Sequence, residues 1–255
     1  MTKIRPASAF LRLARAFAVA GALLLAPAAF AATGGALQQS GVDLGDRASL
    51  QRGAQLYMNY CSACHSLKYM RYSRIAEDLG LTEEEVMNNL NFTGAKFGEQ
   101  IHVSMPAEGA REWFGQVPPD LSVTSRVRGS DWIYTYLKSF YIDESRPVGW
   151  NNTLFPNAAM PNVLWQMQGV QRPVFGAADE ATGDPVVERL EVATPGSQDA
   201  LEFDRTARDI TAFLEYVGEP AALKRESLGV WVLLFLAFFT FLAWLLKQEY
   251  WRDVH

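Results

Sequence analysis

The stretch Cys61-Ser62-Ala63-Cys64-His65 has the form C-x-x-C-H, the sequence signature of covalent c-type haem attachment. Two thiols three residues apart face the same side of one helical turn, so both can form thioethers to the two vinyl groups of a single porphyrin. His65 follows directly, and its position beneath the macrocycle makes it the proximal iron ligand through a neutral imidazole nitrogen. The competing readings are a chance match, a thioredoxin-like C-x-x-C and a zinc-binding one. The chain holds two Cys in all, both inside the motif. Neither a disulfide nor a Cys-rich tetrahedral zinc site can then form without destroying the haem link.

Working outward, Asp46 is a good N-cap, and a helix is expected from there to the motif. Leu50, Ala54, Tyr57 and Cys61 recur at i, i+4, i+7 and i+11, one apolar face that leads into the first thioether. Gly53 beside that face costs helix propensity but lets another helix approach closely. The expected partner comes late in the chain. Asp204 is read as the cap of a helix over 205–217, with Ile210, Phe213, Leu214 and Val217 inward, closed by Gly218 and Pro220. An early helix crossing a late one around a haem is the cytochrome c arrangement. The predicted fold is therefore mainly α, a class I cytochrome c-like haem domain with long irregular loops.

Between those helices, Thr82 with Glu85 forms a capping box that starts a short helix to about Leu90. Glu83, Glu84 and Glu85 then read as helix-start chemistry rather than a docking patch. Residues 91–128 are punctuated by Gly and Pro, with Pro118-Pro119-Asp120-Leu121 as a rigid extended element. Ser130 is expected to cap a helix through Tyr141, with Ile133, Tyr134, Leu137, Phe140 and Tyr141 on one side. Residues 142–200, rich in Pro, Gly and Asn, read as an irregular segment that wraps the haem.

Both termini read as membrane-related. Residues 1–31 have a basic start, an apolar stretch and the small-residue exit Ala29-Phe30-Ala31, the pattern of a secretory signal cleaved after Ala31. Export fits the motif, because haem is attached outside the bacterial inner membrane. Leu228 to Leu246 is 19 residues without a charge, about 28 Å as a helix at about 1.5 Å per residue, against a hydrocarbon core of about 30 Å. Trp231, Trp244, Tyr250 and Trp251 form an aromatic belt at its ends. The division expected is signal 1–31, haem domain 32–223, anchor 224–246 and cytoplasmic tail 247–255. The formal net charge is −5, and loss of Lys3, Arg5, Arg12 and Arg15 with the signal takes it to −9. Such an acidic product is a poor nucleic-acid binder and suits a basic soluble partner.

The second axial ligand decides between an electron carrier and an open haem site. His255 falls on the wrong side of the membrane, and His102 follows a polar loop. Met58 and Met70 are too near the motif, and Met87 lies in the capped helix. Met105, Met160 and Met167 remain; a loop well after the motif favours Met160, while spacing leaves Met105 open and Met167 as an outsider.

The combination of signal, early C-S-A-C-H, Pro118-Pro119-Asp120-Leu121-Ser122, Arg126-x-Arg128, Ala159-Met160-Pro161-Asn162 and one C-terminal apolar stretch resembles cytochrome c1, the haem subunit of the cytochrome bc1 complex. The resemblance covers nearly the whole mature chain. It implies one covalently attached haem c, with Cys61 and Cys64 at the thioethers and His65 and Met160 on the iron. Arg128 matches an Arg that pairs with a haem propionate, and a guanidinium fork suits a carboxylate. The segment between Arg128 and Met160 is shorter than in animal relatives. The resemblance further implies one-electron transfer from the Rieske iron–sulfur protein to a soluble cytochrome c, beside cytochrome b, in a complex built as a dimer of bc1 units. The chain would be a subunit of a quinol–cytochrome c reductase without a catalytic site of its own. Its haem domain is expected in the periplasm, on a single-pass anchor in the lipid bilayer of the bacterial inner membrane. The alternative is a free-standing membrane-tethered monohaem cytochrome serving another oxidase or reductase.

Overall fold

The computed structural model describes residues 37–178 and 185–252; the expected signal over 1–31 lies outside them. The core is built on a crossing of two helices. Helix α1 (Arg47–Tyr60) starts where expected, with the Asp46 carboxylate accepting from the Ser49 N–H at 3.0 Å. Its apolar face, Leu50, Ala54 and Tyr57, is fully buried. A Cβ at Gly53 would lie 2.0 Å from the Asp209 carbonyl oxygen and 2.7 Å from Phe213 Cβ, so the backbones meet at a distance that excludes any side chain there. The partner helix is the last one of the domain, Ala200–Gly218, and the anticipated Ile210, Phe213, Leu214 and Val217 are buried in it.

Polar groups complete the crossing. The Asp209 carboxylate accepts from Ser49 Oγ at 2.5 Å and from Arg52 Nε and Nη2 at 2.6 and 3.0 Å. Both of its oxygens are satisfied, as a buried carboxylate requires. On the apolar side Tyr57 packs on Phe213, ring centroids 5.6 Å apart.

After the motif come β1 (Leu67–Arg71) and α2 (Tyr72–Leu79), then α3 (Glu83–Asn89), whose capping box has both halves: Thr82 Oγ1 accepts from Glu85 N–H, and Glu85 accepts from Thr82 N–H. Strand β2 (Gln100–Ile101) pairs antiparallel with β1. Two short helices follow, α4 (Ala107–Phe114) and α5 (Thr124–Arg128), and then α6 (Ser130–Lys138). Strands β3 (Phe140–Ile142) and β4 (Trp150–Asn152) make a hairpin, α7 (Trp165–Gln168) one turn, and β5 (Gly169–Ala178) with β6 (Pro185–Pro195) an antiparallel arm. Helices α8 (Ala200–Gly218) and α9 (Ala222–Tyr250) end the described chain.

Four expectations are corrected. The helix expected from Ser130 to Tyr141 stops at Lys138, because Phe140, Tyr141 and Ile142 pair with Asn152, Asn151 and Trp150 instead. An apolar aromatic run fits either period until its partner is known. Ser130 does not cap that helix; its hydroxyl hydrogen-bonds Glu215 of α8. The segment 142–200 is not irregular throughout, since the β5–β6 arm occupies much of it. Strand β6 is exposed along most of its length and β5 is half-buried to exposed with no strict alternation, so the arm lacks the one-sided period that marks a half-buried strand. Helix α8 begins five residues earlier than Asp204 suggested: Asp199 and Glu202 make the capping box, while Asp204 pairs with Lys138 Nζ at 2.6 Å. Helices α4 and α5 also interrupt the stretch 91–128.

Within α9, residues Leu228–Tyr250 form a helix long and apolar enough to cross a membrane, with mean hydropathy 2.4 and no burial against the rest of the chain. The boundaries expected at 223/224 and 246/247 fall inside one continuous helix, whose first residue, Ala222, is buried against the domain.

Gly53→Ala should destabilise the domain by about 1–3 kcal/mol through overpacking, a fall of roughly 2–4 °C per kcal/mol in thermal melts. Gly98→Ala, with nothing within 4 Å of its added carbon, should leave the melting temperature unchanged.

Candidate haem site

Helix α1 delivers the motif. Its ladder continues past Tyr60, with the Cys61 and Ser62 N–H groups both donating to Tyr57 O at 2.8 and 3.0 Å. The Cys61 carbonyl then accepts from Cys64 and His65 N–H, at 3.0 and 2.9 Å, so the five residues form one closed turn. Both cysteines are free thiols, Cys61 buried and Cys64 half-buried. Burial, and next the neighbouring Cys64, pushes the Cys61 thiol up to about 12; burial also raises Cys64. A redox C-x-x-C works through a lowered thiol pKa, the opposite of this environment.

His65 is buried, and its Nδ1 lies 2.7 Å from the Pro119 carbonyl oxygen. A carbonyl only accepts, so Nδ1 carries the proton and Nε2 keeps its lone pair for a metal, the usual arrangement of a ligating histidine. Burial holds the imidazole pKa below its ordinary value, against the opposing pull of Pro119 O and Asp120. The ring is neutral, as ligation demands.

The Pro118-Pro119-Asp120-Leu121 element thus has a defined task. It is strapped to the chain just beyond His65: Leu121 N–H donates to Ser66 O at 2.9 Å, Asp120 accepts from Lys68 N–H and Ser122 N–H at 2.9 Å each, and Ser122 Oγ accepts from Tyr69 N–H at 3.2 Å. Tyr57 adds a hydrogen bond from its hydroxyl to His65 O at 2.7 Å. Sequence reasoning recognised the extended element and the Tyr57 face but not these roles. Two prolines together were the signal available, because they fix a carbonyl's direction.

Met160 lies half-buried in the loop between β4 and α7, and the Tyr136 hydroxyl donates to its sulfur at 3.6 Å. Tyr136 is held in an aromatic stack: Trp132 lies 4.9 Å away and nearly parallel, at 10°, while Phe140 meets it edge-on. Burial pushes the Tyr136 phenol up to about 12, so it is a donor at neutral pH. Arg128, at the end of α5, lays its guanidinium over Trp132 at 5.0 Å and over Phe155 at 5.8 Å. The structure therefore joins Arg128, Trp132, Tyr136 and Met160 in one wall. Sequence reasoning missed Trp132 and Tyr136, whose i, i+4 spacing on α6 was the available signal.

The other candidates are placed elsewhere. Met167 is buried in the apolar core with Met58 and Met70, His102 is exposed, and Met105 is half-buried before α4. His255 lies outside the described residues.

These residues fit a haem. Among the described residues no three His, Cys, Asp or Glu side chains converge to hold a metal by themselves. Arg146 donates through Nη2 to Asn157 O at 3.3 Å, three residues before Met160, while its buried Nε–H has no acceptor. That orphaned donor suits an added carboxylate such as a propionate.

Comparison with known proteins agrees. The model of the "Cytochrome C1 family" matches residues 39–254. Cytochrome c1 of Allochromatium vinosum is 52% identical over 235 residues, covering 91% of this chain and 96% of that protein. A protein of Nitrosomonas europaea named ammonia monooxygenase gamma subunit is 42% identical, covering 92% and 96%. The mitochondrial cytochrome c1 haem protein of Saccharomyces cerevisiae is 29% identical, covering 82% and 68%. The motif turn, the buried His65 with Nδ1 on Pro119 O and a family match over residues 39–254 lead to one conclusion: this chain belongs to the cytochrome c1 family.

Proposed function

We propose that this chain is a membrane-anchored c-type cytochrome that takes one electron at a time from the Rieske iron–sulfur protein of a bc1 complex and gives it to a soluble cytochrome c. The observation that carries this reading is the neutral, buried His65 beside two unpaired thiols at the end of α1, in a chain of this family. Cys61 and Cys64 would hold one haem c through thioethers, His65 and Met160 would supply its iron ligands, and Arg128 would pair with a propionate. Once bound, the haem supplies a one-electron ferric/ferrous couple.

The chain's residues do the remaining work. Pro119 keeps the His65 proton on Nδ1 and so fixes the ligating nitrogen and the ring plane. Asp120 holds the strap that carries Pro119. A soft thioether from Met160 would favour the reduced iron, and His65 and Met160 together would leave oxygen and peroxide no place on it. In this reading the signal is cleaved after Ala31 and the haem domain lies outside the inner membrane. Leu228–Leu246 crosses that membrane, and the tail from Lys247 ends in the cytoplasm. The partners are cytochrome b, the Rieske protein and a soluble cytochrome c, in a dimer of bc1 units. The match to cytochrome c1 and the apolar α9 support this placement.

A second reading, a tethered monohaem cytochrome serving another oxidase or reductase, is favoured by one finding: the relative named as a gamma subunit of an ammonia monooxygenase. Purification in gentle detergent decides between them. Co-elution with a cytochrome b and an iron–sulfur protein is expected; a haem protein that runs alone, or with a different oxidase, overturns the bc1 assignment.

The ligand set is tested on the same preparation. Met160→Leu should abolish the thioether-to-iron absorption band, lower the reduction potential and let carbon monoxide bind the reduced protein. An unchanged spectrum would move the axial role to Met105.

A further inference from the structure

The contact between Tyr136 and Met160 goes beyond a chance approach of a hydroxyl to a sulfur. The Tyr136 ring is fixed on one face by Trp132 and at its edge by Phe140, both with centroids 4.9 Å away. The position of the hydroxyl oxygen is therefore fixed, and Met160 Sδ lies 3.6 Å from it, within reach of its proton. The loop that carries Met160 is fastened at both ends to the C-terminal end of the same helix. Before it, Asn152 donates from Nδ2 to Tyr136 O at 2.9 Å, while its Oδ1 accepts from Leu154 and Phe155 N–H at 2.9 and 3.0 Å. After it, Asn162 donates to Gln168 Oε1 at 2.8 Å, and Gln168 donates to Lys138 O at 2.9 Å. Asn152 and Asn162 are both buried. The loop is thus tied to the helix at both ends, and the hydroxyl–sulfur pair is held by its surroundings as well as by its own attraction.

From this geometry we infer that Tyr136 is a positioning residue for the axial thioether, donating a hydrogen bond to one lone pair of Met160 Sδ while the other lone pair faces the iron. The inference rests on Met160 being the axial ligand. A thioether sulfur has two lone pairs, so hydrogen bonding and ligation do not compete. The bond acts in two ways. It restrains the sulfur, which slows ligand loss. It also draws electron density from the sulfur, weakening donation to ferric iron more than to ferrous iron, which raises the reduction potential.

The test is Tyr136→Phe in the full-length haem-loaded protein, because Phe keeps the ring stack and removes only the hydroxyl. Three readouts are compared with the parent: the reduction potential, the thioether-to-iron band, and imidazole binding to the ferric form. The ferrous-to-ferric ratio at a fixed ambient potential should fall about threefold, or about 28 mV at 59 mV per tenfold for a one-electron couple. The band should weaken, and imidazole should bind several-fold more tightly. Tyr134→Phe serves as the control, since the Tyr134 hydroxyl accepts from Lys138 Nζ at 3.2 Å and should leave all three readouts at parent values. A Tyr136→Phe protein indistinguishable from the parent, or matched by Tyr134→Phe, overturns the role of Tyr136 and leaves Met160 ligation standing. A parent protein without the band overturns Met160 ligation and this role with it.

Discussion

Helix α1 can lie against α8 only because position 53 carries no side chain. The Asp209 carbonyl oxygen stands 2.0 Å from where a Cβ would be, closer than any packed pair of side chains allows. That approach sets the depth of everything further along α1. One turn beyond Gly53, Tyr57 meets Phe213 and sends its hydroxyl to His65 O. Another turn on, Cys61 closes the helix inside the core. A wider crossing would lift Tyr57 off Phe213 and loosen the carbonyl that it holds. The polar flank of the crossing, with Ser49 and Arg52 on Asp209, adds direction to closeness. Leaving that buried carboxylate unpaired would be far costlier than its pairing is stabilising.

The two sides of the candidate site are built from different materials. On the histidine side the contacts are mostly to backbone: Pro119 O on Nδ1, Leu121 N–H on Ser66 O, Asp120 on two amides. Proline fixes the torsions of that strap, so its geometry has little freedom to lose. On the methionine side the contacts are side chains on side chains, a cation over a ring, ring on ring, and a hydroxyl on sulfur. Each such contact is weak alone and gains from its neighbours. The imidazole is thus set by backbone geometry and the thioether by packed side chains.

How much of this was legible in the sequence follows from where each signal lies. The motif, the Asp46 cap, the Thr82 box, the Gly53 contact with α8 and the apolar C-terminal helix were readable, because each rests on local chemistry or on one face at helical period. The β5–β6 arm was not, since neither strand alternates strictly between a buried and an exposed face. Phe140 and Tyr141 misled for a related reason: their partners, Asn152 and Asn151, are themselves polar. Asp204 looked like a cap because it opens an apolar run, whereas Asp199 has the matching Glu202 three residues on. Within the site, Cys61, Cys64 and His65 were legible from spacing and Met160 only as one of several. The stack of Trp132 on Tyr136 has a local i, i+4 spacing, but the contacts that give Pro119 and Tyr136 their roles, to His65 and to Met160, span tens of residues that no local pattern encodes.

The R-x-R pair shows how one short element can serve two neighbours. Helix α5 is five residues long, and residues two apart on a helix point about 200° from each other at 3.6 residues per turn. Arg126 accordingly reaches Glu219 at 2.8 Å, while Arg128 turns to Trp132 on the site wall. Glu219 also takes Arg225, at the start of α9. These ion pairs involve well-exposed arginines and contribute little, about 0–1 kcal/mol each. The firm anchorage of α5 is instead the hydrogen bond from Ser125 Oγ to Leu214 O, at 2.9 Å, and the bare face of Gly218, where an added Cβ would fall 2.1 Å from Ser125 Oγ. Glycine is thus used twice along α8's contacts, at position 53 to seat the helix that bears the motif and at position 218 to seat the helix that bears Arg128. Both walls of the candidate site are referred to the same buried helix, and α9 starts four residues beyond that helix's end.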